Sequence, residues 1–393
     1  MELTRKQQEG LLKAVEKYNN GDPYVCISGY AGSGKSTLIR FIISALDIDP
    51  DTEVAYVAFT GKAANVLKNK GCPNPTTAHR LMYKAKLMPN GKFAYFPKEI
   101  IEDYKVIVVD EISMLPLRMW QQLLKYKIFI IACGDPGQLP PVTESDNNHV
   151  LDKPDVFLDE IMRQAQDSEI IRLSMDIREG KSLNLFNGKE VRILDRKDVV
   201  DGMFDWADQI LCATNKERNS LNNKIRMFHN RGPEPEDGDK VIALHNDWDM
   251  MTGEGTPLTN GQIGTLIMPD KRELVLPYYV ADFPIPIIRA KIQTEENEYF
   301  ECLDMDYNLF KTGEKTLTGR QEYALMRNKN TQHLVPYEFT YAYAITTHKA
   351  QGSEWNKVLV FEERFPFDRE EHKRWLYTAA TRAAEKLVII RKD

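Results

Sequence analysis

The sequence has no close pair of cysteines. Its five cysteines stand alone at positions 26, 72, 133, 212 and 302. None belongs to a CxxC pair, which excludes a zinc ribbon and argues against a disulfide framework. It has no apolar run long enough to span a bilayer. Its polar opening, MELTRKQQEG, does not read as a signal peptide. The expected compartment is therefore the reducing cytoplasm, with no membrane partner. The chain also lacks a positive excess: 52 Lys and Arg stand against 58 Asp and Glu, a net charge of −6. That excludes a uniformly basic exterior, so any nucleic-acid binding needs a local groove. Internal repeats and low-complexity tracts are absent.

What is present is a regular alternation. YVCISG (24–29), EVAYVAF (53–59), YKVIVVDE (104–111) and KIFIIACGD (127–135) are continuous apolar runs. Strands buried on both faces of a parallel sheet read this way. The helical patterns STLIRFIISAL, KAANVLKNK and PLRMWQQLLK alternate with these runs, as in a doubly wound α/β domain. The alternation returns in ADQILCAT (207–214), NKERNSLNNKIRMFH, KVLVFEE (357–363), RWLYTAATRAAEK and LVIIRK. From about 237 to 335 helical periodicity fades and short strand-like pieces with turn signals take over, the pattern of a small β insertion. At 83–98, Asn90-Gly91 between apolar and aromatic flanks predicts a β-hairpin.

GYAGSGKST (29–37) satisfies GxxxxGK[ST] after a strand and before a helix. Gly29, Ala31, Gly32, Ser33 and Gly34 supply a backbone cradle for phosphate oxygens, continued by Thr37 at the helix start. In such a loop Lys35 reaches the β- and γ-phosphates of ATP and Ser36 binds Mg²⁺. By composition alone the match arises by chance roughly once in a hundred chains of this length. VIVVDE delivers Asp110 and Glu111 at a strand's C-terminal end, where open α/β sheets bind ligands. Asp110 is the expected Mg²⁺ ligand and Glu111 the general base for the attacking water. GDPGQLPPV (134–142) offers Gln138 to the γ-phosphate, although Asp-Pro-Gly is equally plain turn chemistry.

A guanine-reading NKxD is absent, since Arg218 follows Asn215-Lys216 where Asp is required. Two arginines lie far from the loop in sequence, Arg163 in EIMRQ and Arg382 in YTAATRAAEKL. Arginines delivered from a facing domain neutralise charge on a transferring phosphoryl group. Taken in order, LTRKQ (3–7), GYAGSGKST, AFTGKAANVL (58–67), TTAHRL (76–81), VVDEISM, GDPGQLPPV, EIMRQ, CATNKERNSLN (212–222), TYAYAITTHKAQGSEW (340–355) and LYTAATRAA (376–384) resemble the motifs of a superfamily 1 DNA helicase, RecD/Dda-like (1B) branch. The resemblance covers nearly the whole chain.

The resemblance implies two RecA-like P-loop domains. The first spans 1–160 and carries the 83–98 hairpin as a strand-separating pin. The second spans 161–236 and 336–393, with 237–335 as an SH3-like β-barrel insertion. It implies ATP and Mg²⁺ as cofactors, Gln7 as adenine reader, Gly352 and Glu354 on the nucleotide, and Arg163 and Arg382 on the γ-phosphate. It places a single-stranded DNA track along Thr60, Lys62, Thr77, His79, Pro140, Pro141, Thr214, Asn215, Thr347, His348 and Lys349, with Phe93 and Tyr95 of the pin at the fork. His79 and His348 read equally well as helix caps or core histidines. Many relatives carry an aromatic before the Arg163 position; here it is Met162, which leaves base stacking without its usual ring. The expected function is a monomeric ATP-dependent 5′→3′ helicase on single-stranded and forked DNA, with a single-strand-binding protein or replisome component as candidate partner. The alternatives are an ATP-gated nucleic-acid clamp or remodeller, and an RNA helicase.

Overall fold

The computed structural model describes residues 3–87, 93–101, 104–140, 147–162, 167–365 and 368–392. The chain divides into two compact units. The first comprises Met1–Tyr83, Pro97–Thr214 and Thr346–Asp393; the second comprises Lys84–Phe96 and Asn215–Ile345.

The first unit contains two sheets. One has six strands in the order Thr76–Thr77, Val54–Ala58, Val106–Val109, Phe129–Gly134, Tyr24–Gly29, Val156–Leu158, and every pairing is parallel. Its strands are buried almost throughout. Ile27, Val108 and Ile131 enter one core layer with Leu38 and Ile42 of helix Lys35–Ala45. Cys26, Ile107 and Ile130 enter the opposite layer with Met119 and Leu123 of helix Leu117–Lys125. This two-sided burial explains why the strands read as unbroken apolar runs. Because all strands run one way, Gly29, Asp110 and Asp135 emerge at the same edge.

The other sheet runs Gln209–Cys212, Trp355–Phe361, Ala383–Ile390 and Val191–Leu194 in parallel, then Phe186–Asn187 antiparallel. The helical pattern at RWLYTAATRAAEK stops earlier than the sequence suggests. Helix Arg369–Ala380 ends at Ala380, and Ala383 already pairs with Trp355. Alanine has strong helix propensity, but pairing against a buried strand overrides it here. No helix among the described residues is long and apolar enough to cross a membrane.

In the second unit an antiparallel sheet runs Tyr299–Asp306, Ile285–Thr294, Ile263–Leu274, Lys240–Ala243, Phe339–Tyr341. Phe300, Leu303, Met305 and Phe339 fill its core, and Tyr307 is buried with them. The side chain of Trp248 lies outside the described residues. The segments Tyr83–Leu87 and Phe93–Pro97 form a two-stranded sheet, while Asn90 and Gly91 lie outside the described residues. Helix Asn215–Phe228 belongs to this unit. Arg226 forms a buried ion pair with Asp239 at 3.0 Å. Asn222 donates to the carbonyls of Tyr341 and Ala344 at 3.1 and 3.0 Å and accepts from the Ala344 amide at 2.8 Å.

Asn222 therefore satisfies three backbone groups that water does not reach. Asn222→Ala is expected to destabilise the protein by about 3 kcal/mol, because those groups lose their partners inside the fold. A lowered urea midpoint together with faster hydrogen exchange at the Ala344 amide is the signature to look for; an unchanged midpoint contradicts it.

Candidate functional site

The phosphate-binding pattern closes on itself through local hydrogen bonds. The Ser33 amide and hydroxyl both donate to the Tyr30 carbonyl, at 3.2 and 2.8 Å. Gly32 and Gly34 adopt φ of +75° and +80°, which only glycine takes without strain. A side chain at Gly34 would also collide with Gln7 Nε2. Lys35, at the start of its helix, donates to the carbonyls of Gly29 and Tyr30 at 2.7 and 3.1 Å. The loop lines a cavity of about 410 Å³, with Ser36, Thr37, Asp110, Glu111, Asp135, Gln138, Gly352, Glu354 and Arg382 on its other walls.

Three carboxylates reach this cavity from neighbouring strand ends. Burial raises the Asp110 carboxyl above the usual range; Glu111 raises it further, and Lys35 opposes both. Burial likewise raises Asp135, again opposed by Lys35. Glu111 sits at φ 50°, ψ 48°, a left-handed conformation costing a non-glycine residue about 1–3 kcal/mol. One of its oxygens is buried with no hydrogen-bond partner, while the other accepts from Gln138 at 3.4 Å. A strained residue that lines the cavity and keeps a buried carboxylate oxygen without a partner suits the part of a general base. Among the described residues no group of three His, Cys, Asp or Glu could hold a metal. The oxygen donors Ser36 and Asp110 line the cavity together. They suit Mg²⁺, which takes one or two protein oxygens and completes its shell with phosphates and water.

Gln7 has a structural duty as well. Thr4 and Gln7 form a capping box, with the Gln7 side chain accepting from the Thr4 amide at 3.0 Å. Its amide nitrogen reaches the Ser33 and Gly34 carbonyls at 3.4 Å each and the Met162 sulfur at 3.3 Å. Arg382 is buried, with its guanidinium donating to the Thr378 and Ser353 carbonyls and to Thr381 Oγ1 at 3.1–3.3 Å. Arg163 lies outside the described residues, as does Pro141. Glu354 pairs with Lys70 at 3.1 Å, in a half-exposed bridge of small energetic worth. Gly352 takes φ +72°, and a side chain there would meet Ala63 at 2.8 Å.

The candidate track residues fall into two groups. Several spend their hydroxyls inside the fold. Thr60 and Thr77 cap helices by accepting from Ala63 and Arg80. Thr347 is buried and donates to the Cys212 carbonyl, and Thr214 donates to Glu363 at 2.7 Å. Lys62 places its buried ammonium over the Trp355 ring, 4.2 Å from the centroid. Others remain at or near the surface: Pro140 and Asn215 are exposed, while His348 and Lys349 are half-buried. Phe93 and Tyr95 lie on a described strand, but their side chains fall outside the described residues. Trp355, Glu363, Asp135 and Tyr377 make contacts that sequence reasoning did not assign. All four sit within or beside quoted motifs, but their partners lie far away in sequence.

His79 packs between the rings of Phe59 and Tyr83 at 6.2 and 5.7 Å. Burial lowers its pKa from 6.5, and the charge of Arg118 lowers it further. Burial alone lowers His348. The folded state thus favours neutral imidazole, while the unfolded chain takes up a proton as pH falls through 6.5. Stability should be retained above about pH 6.5 and decline below it. An NMR titration should give His79 a midpoint below 6.5; a midpoint at or above that value contradicts this environment.

The AAA domain family model matches residues 2–203, and that of the UvrD-like helicase C-terminal domain matches residues 341–390. The chain is 25% identical over 399 residues to the ATP-dependent RecD2 DNA helicase of Deinococcus radiodurans, an alignment covering 93% of this chain and 46% of that protein. It is 25% identical over 251 residues to the ATP-dependent DNA helicase dda of Enterobacteria phage T4, covering 57% of each. It therefore spans about half the length of these two relatives. The crystal structure of Pif1 helicase from Bacteroides in complex with ADP-AlF3 and single-stranded DNA shares the fold. Its TM-score is 0.52 and its identity 17%, over 100% of this chain and 95% of that one.

Proposed function

Because the chain belongs to the RecD/Dda-like (1B) branch of superfamily 1 helicases, we propose that it is an ATP-driven motor that moves 5′→3′ along single-stranded DNA and opens the duplex at a fork. The observation that carries this reading is Glu111. It combines a strained backbone and an unpaired buried oxygen, and it lines the cavity together with Lys35 and Arg382.

In this reading Lys35 leaves the Gly29 and Tyr30 carbonyls for the β- and γ-phosphates of ATP. Ser36 and Asp110 hold Mg²⁺, which neutralises phosphate charge when bound. Glu111 takes the proton from the attacking water, and Gln138 orients that water from its place beside Glu111. Arg382, joined by Arg163, meets charge developing on the γ-phosphate. Gln7, Gly352 and Glu354 accommodate the adenosine. Met162 in place of an aromatic ring, together with a Gln7 already engaged in its capping box, supports loose base selectivity.

Residues 1–160 would act as one RecA-like domain, and 161–236 with 336–393 as the other. Alternating grip between them would convert hydrolysis into movement. The track from Thr60 to Lys349 would then hold the strand through small polar groups and backbone amides, without reading bases. Exposed Pro140 and half-buried His348 and Lys349 support a surface there; the buried Lys62 ammonium would have to leave Trp355 to join it. The 83–98 hairpin would serve as pin through Phe93 and Tyr95, and 237–335 as an SH3-like clamp. A monomer in the cytoplasm, meeting a single-strand-binding protein or replisome component, completes the reading.

Unwinding of otherwise identical duplexes with a 5′ or a 3′ single-stranded tail tests it directly. Separation only from the 5′ tail is expected. Separation only from the 3′ tail reverses the polarity, and DNA-stimulated ATP hydrolysis without separation indicates a clamp or remodeller. Stronger stimulation by RNA than by DNA oligonucleotides would transfer the activity to RNA. Glu111→Gln should bind ATP and lose at least about a hundredfold in turnover, the lower end of what a positioned general base contributes. Lys35→Ala should abolish hydrolysis and keep single-strand binding. Full turnover in Glu111→Gln would remove this residue from the mechanism.

A further inference from the structure

Tyr377 lies on helix Arg369–Ala380, five residues before Arg382, and is fully buried. Its hydroxyl sits where two segments of the first sheet's edge meet. It accepts from the Ala31 amide of the phosphate loop at 3.0 Å and donates to the Asp135 carboxylate at 2.6 Å. Asp135 also accepts from the Gly137 amide at 2.9 Å, holding the turn that leads to Gln138. The ring rests on Gly137, where an added Cβ would stand 3.1 Å from it. One residue on, Thr378 accepts from the Leu139 amide at 2.9 Å, and its carbonyl receives Arg382 Nε at 3.1 Å.

We infer that Tyr377 is a positioning residue for ATP hydrolysis, a hydroxyl strut that links the phosphate loop, the Gln138 turn and the helix end bearing Arg382. The inference rests on the ATP-driven reading above and adds a residue to it. A phenol suits the task because one oxygen both donates and accepts. It therefore bridges an amide and a carboxylate that otherwise lack a shared partner. The Ala31 amide belongs to a loop whose N–H groups cradle phosphate. Phosphate bound there competes for, or redirects, the amide that the strut holds. Any shift of the Tyr377 hydroxyl moves the Arg382 end of the helix and the Gln138 turn together. Nucleotide state thus reaches the second sheet's helix through a hydrogen bond, separately from direct contact between Arg382 and phosphate. Burial keeps the Tyr377 phenol protonated at all working pH, with Asp135 adding to the effect, so the donor is always present.

Tyr377→Phe keeps the ring on Gly137 and removes only the strut. The expected result is a folded protein that binds single-stranded DNA within twofold of wild type in the absence of nucleotide. Its DNA-stimulated kcat should fall at least tenfold while KM for ATP stays within threefold, the mark of an interaction that acts on the chemical step. The change in DNA affinity on adding a non-hydrolysable ATP analogue should collapse towards none. Gly137→Ala, which pushes the ring from its seat, should give the same split and serves if Tyr377→Phe misfolds. A wild-type kcat and a wild-type nucleotide effect on DNA affinity in both variants overturn the inference. So does a kcat loss that tracks only a lowered thermal midpoint. Wild-type protein that DNA does not stimulate sinks the motor reading instead, so the two failures are distinguishable.

Discussion

Negative charge has to be gathered at one edge of a sheet that is buried on both faces. Everything else at the candidate site follows from that constraint. Parallel pairing sends Gly29, Asp110 and Asp135 out at the same end. The apolar layers above and below leave water little access, so carboxylates delivered there are destabilised as anions. Asp110 and Asp135 are raised by burial, and the single ammonium of Lys35 opposes the shift at both. A site so poised favours whatever brings compensating charge, which is what a cation carried by a polyphosphate does.

The same edge is closed from a second direction. The sheet that includes Trp355–Phe361 and Ala383–Ile390 brings the turn at Thr381–Arg382 and the segment at Gly352–Glu354 to the cavity wall. What holds that wall in place is mostly neutral hydrogen bonding to backbone. Gln351 donates to the Leu139 carbonyl at 2.8 Å, Thr378 accepts from the Leu139 amide, and Tyr377 bridges Ala31 and Asp135. Bonds of this kind are worth about 1 kcal/mol each and are exchanged readily for ligand contacts. A junction built from them is stable enough to have one geometry and weak enough to change it.

The candidate track shows how one residue type serves two ends. Thr60 and Thr77 are candidates for the strand track on the motif resemblance alone, and in the structure their hydroxyls cap helices. Capping aligns the first turn of a helix and leaves the neighbouring amides and side chains in fixed positions at the surface. The threonines thus shape a polar edge even where their own oxygens are spent. Lys62 over Trp355 is a comparable case, a cation held against an aromatic face within the fold.

The sequence by itself determined the strand and helix alternation, the phosphate loop and the two carboxylates, because these depend on local pattern. An unbroken apolar run needs burial on both faces, and a glycine-rich turn needs glycine wherever it forms. Only the tertiary structure decided that helix Asn215–Phe228 joins the unit of the antiparallel sheet through Asn222 and Arg226, and that the alanines after Arg382 form strand. Only the tertiary structure paired Tyr377 with Ala31 and Asp135, partners 346 and 242 residues distant. Spacing carries no record of such a contact. A hydroxyl between two sheets of one unit is specified by how those sheets pack, and the contact exists only once both have formed.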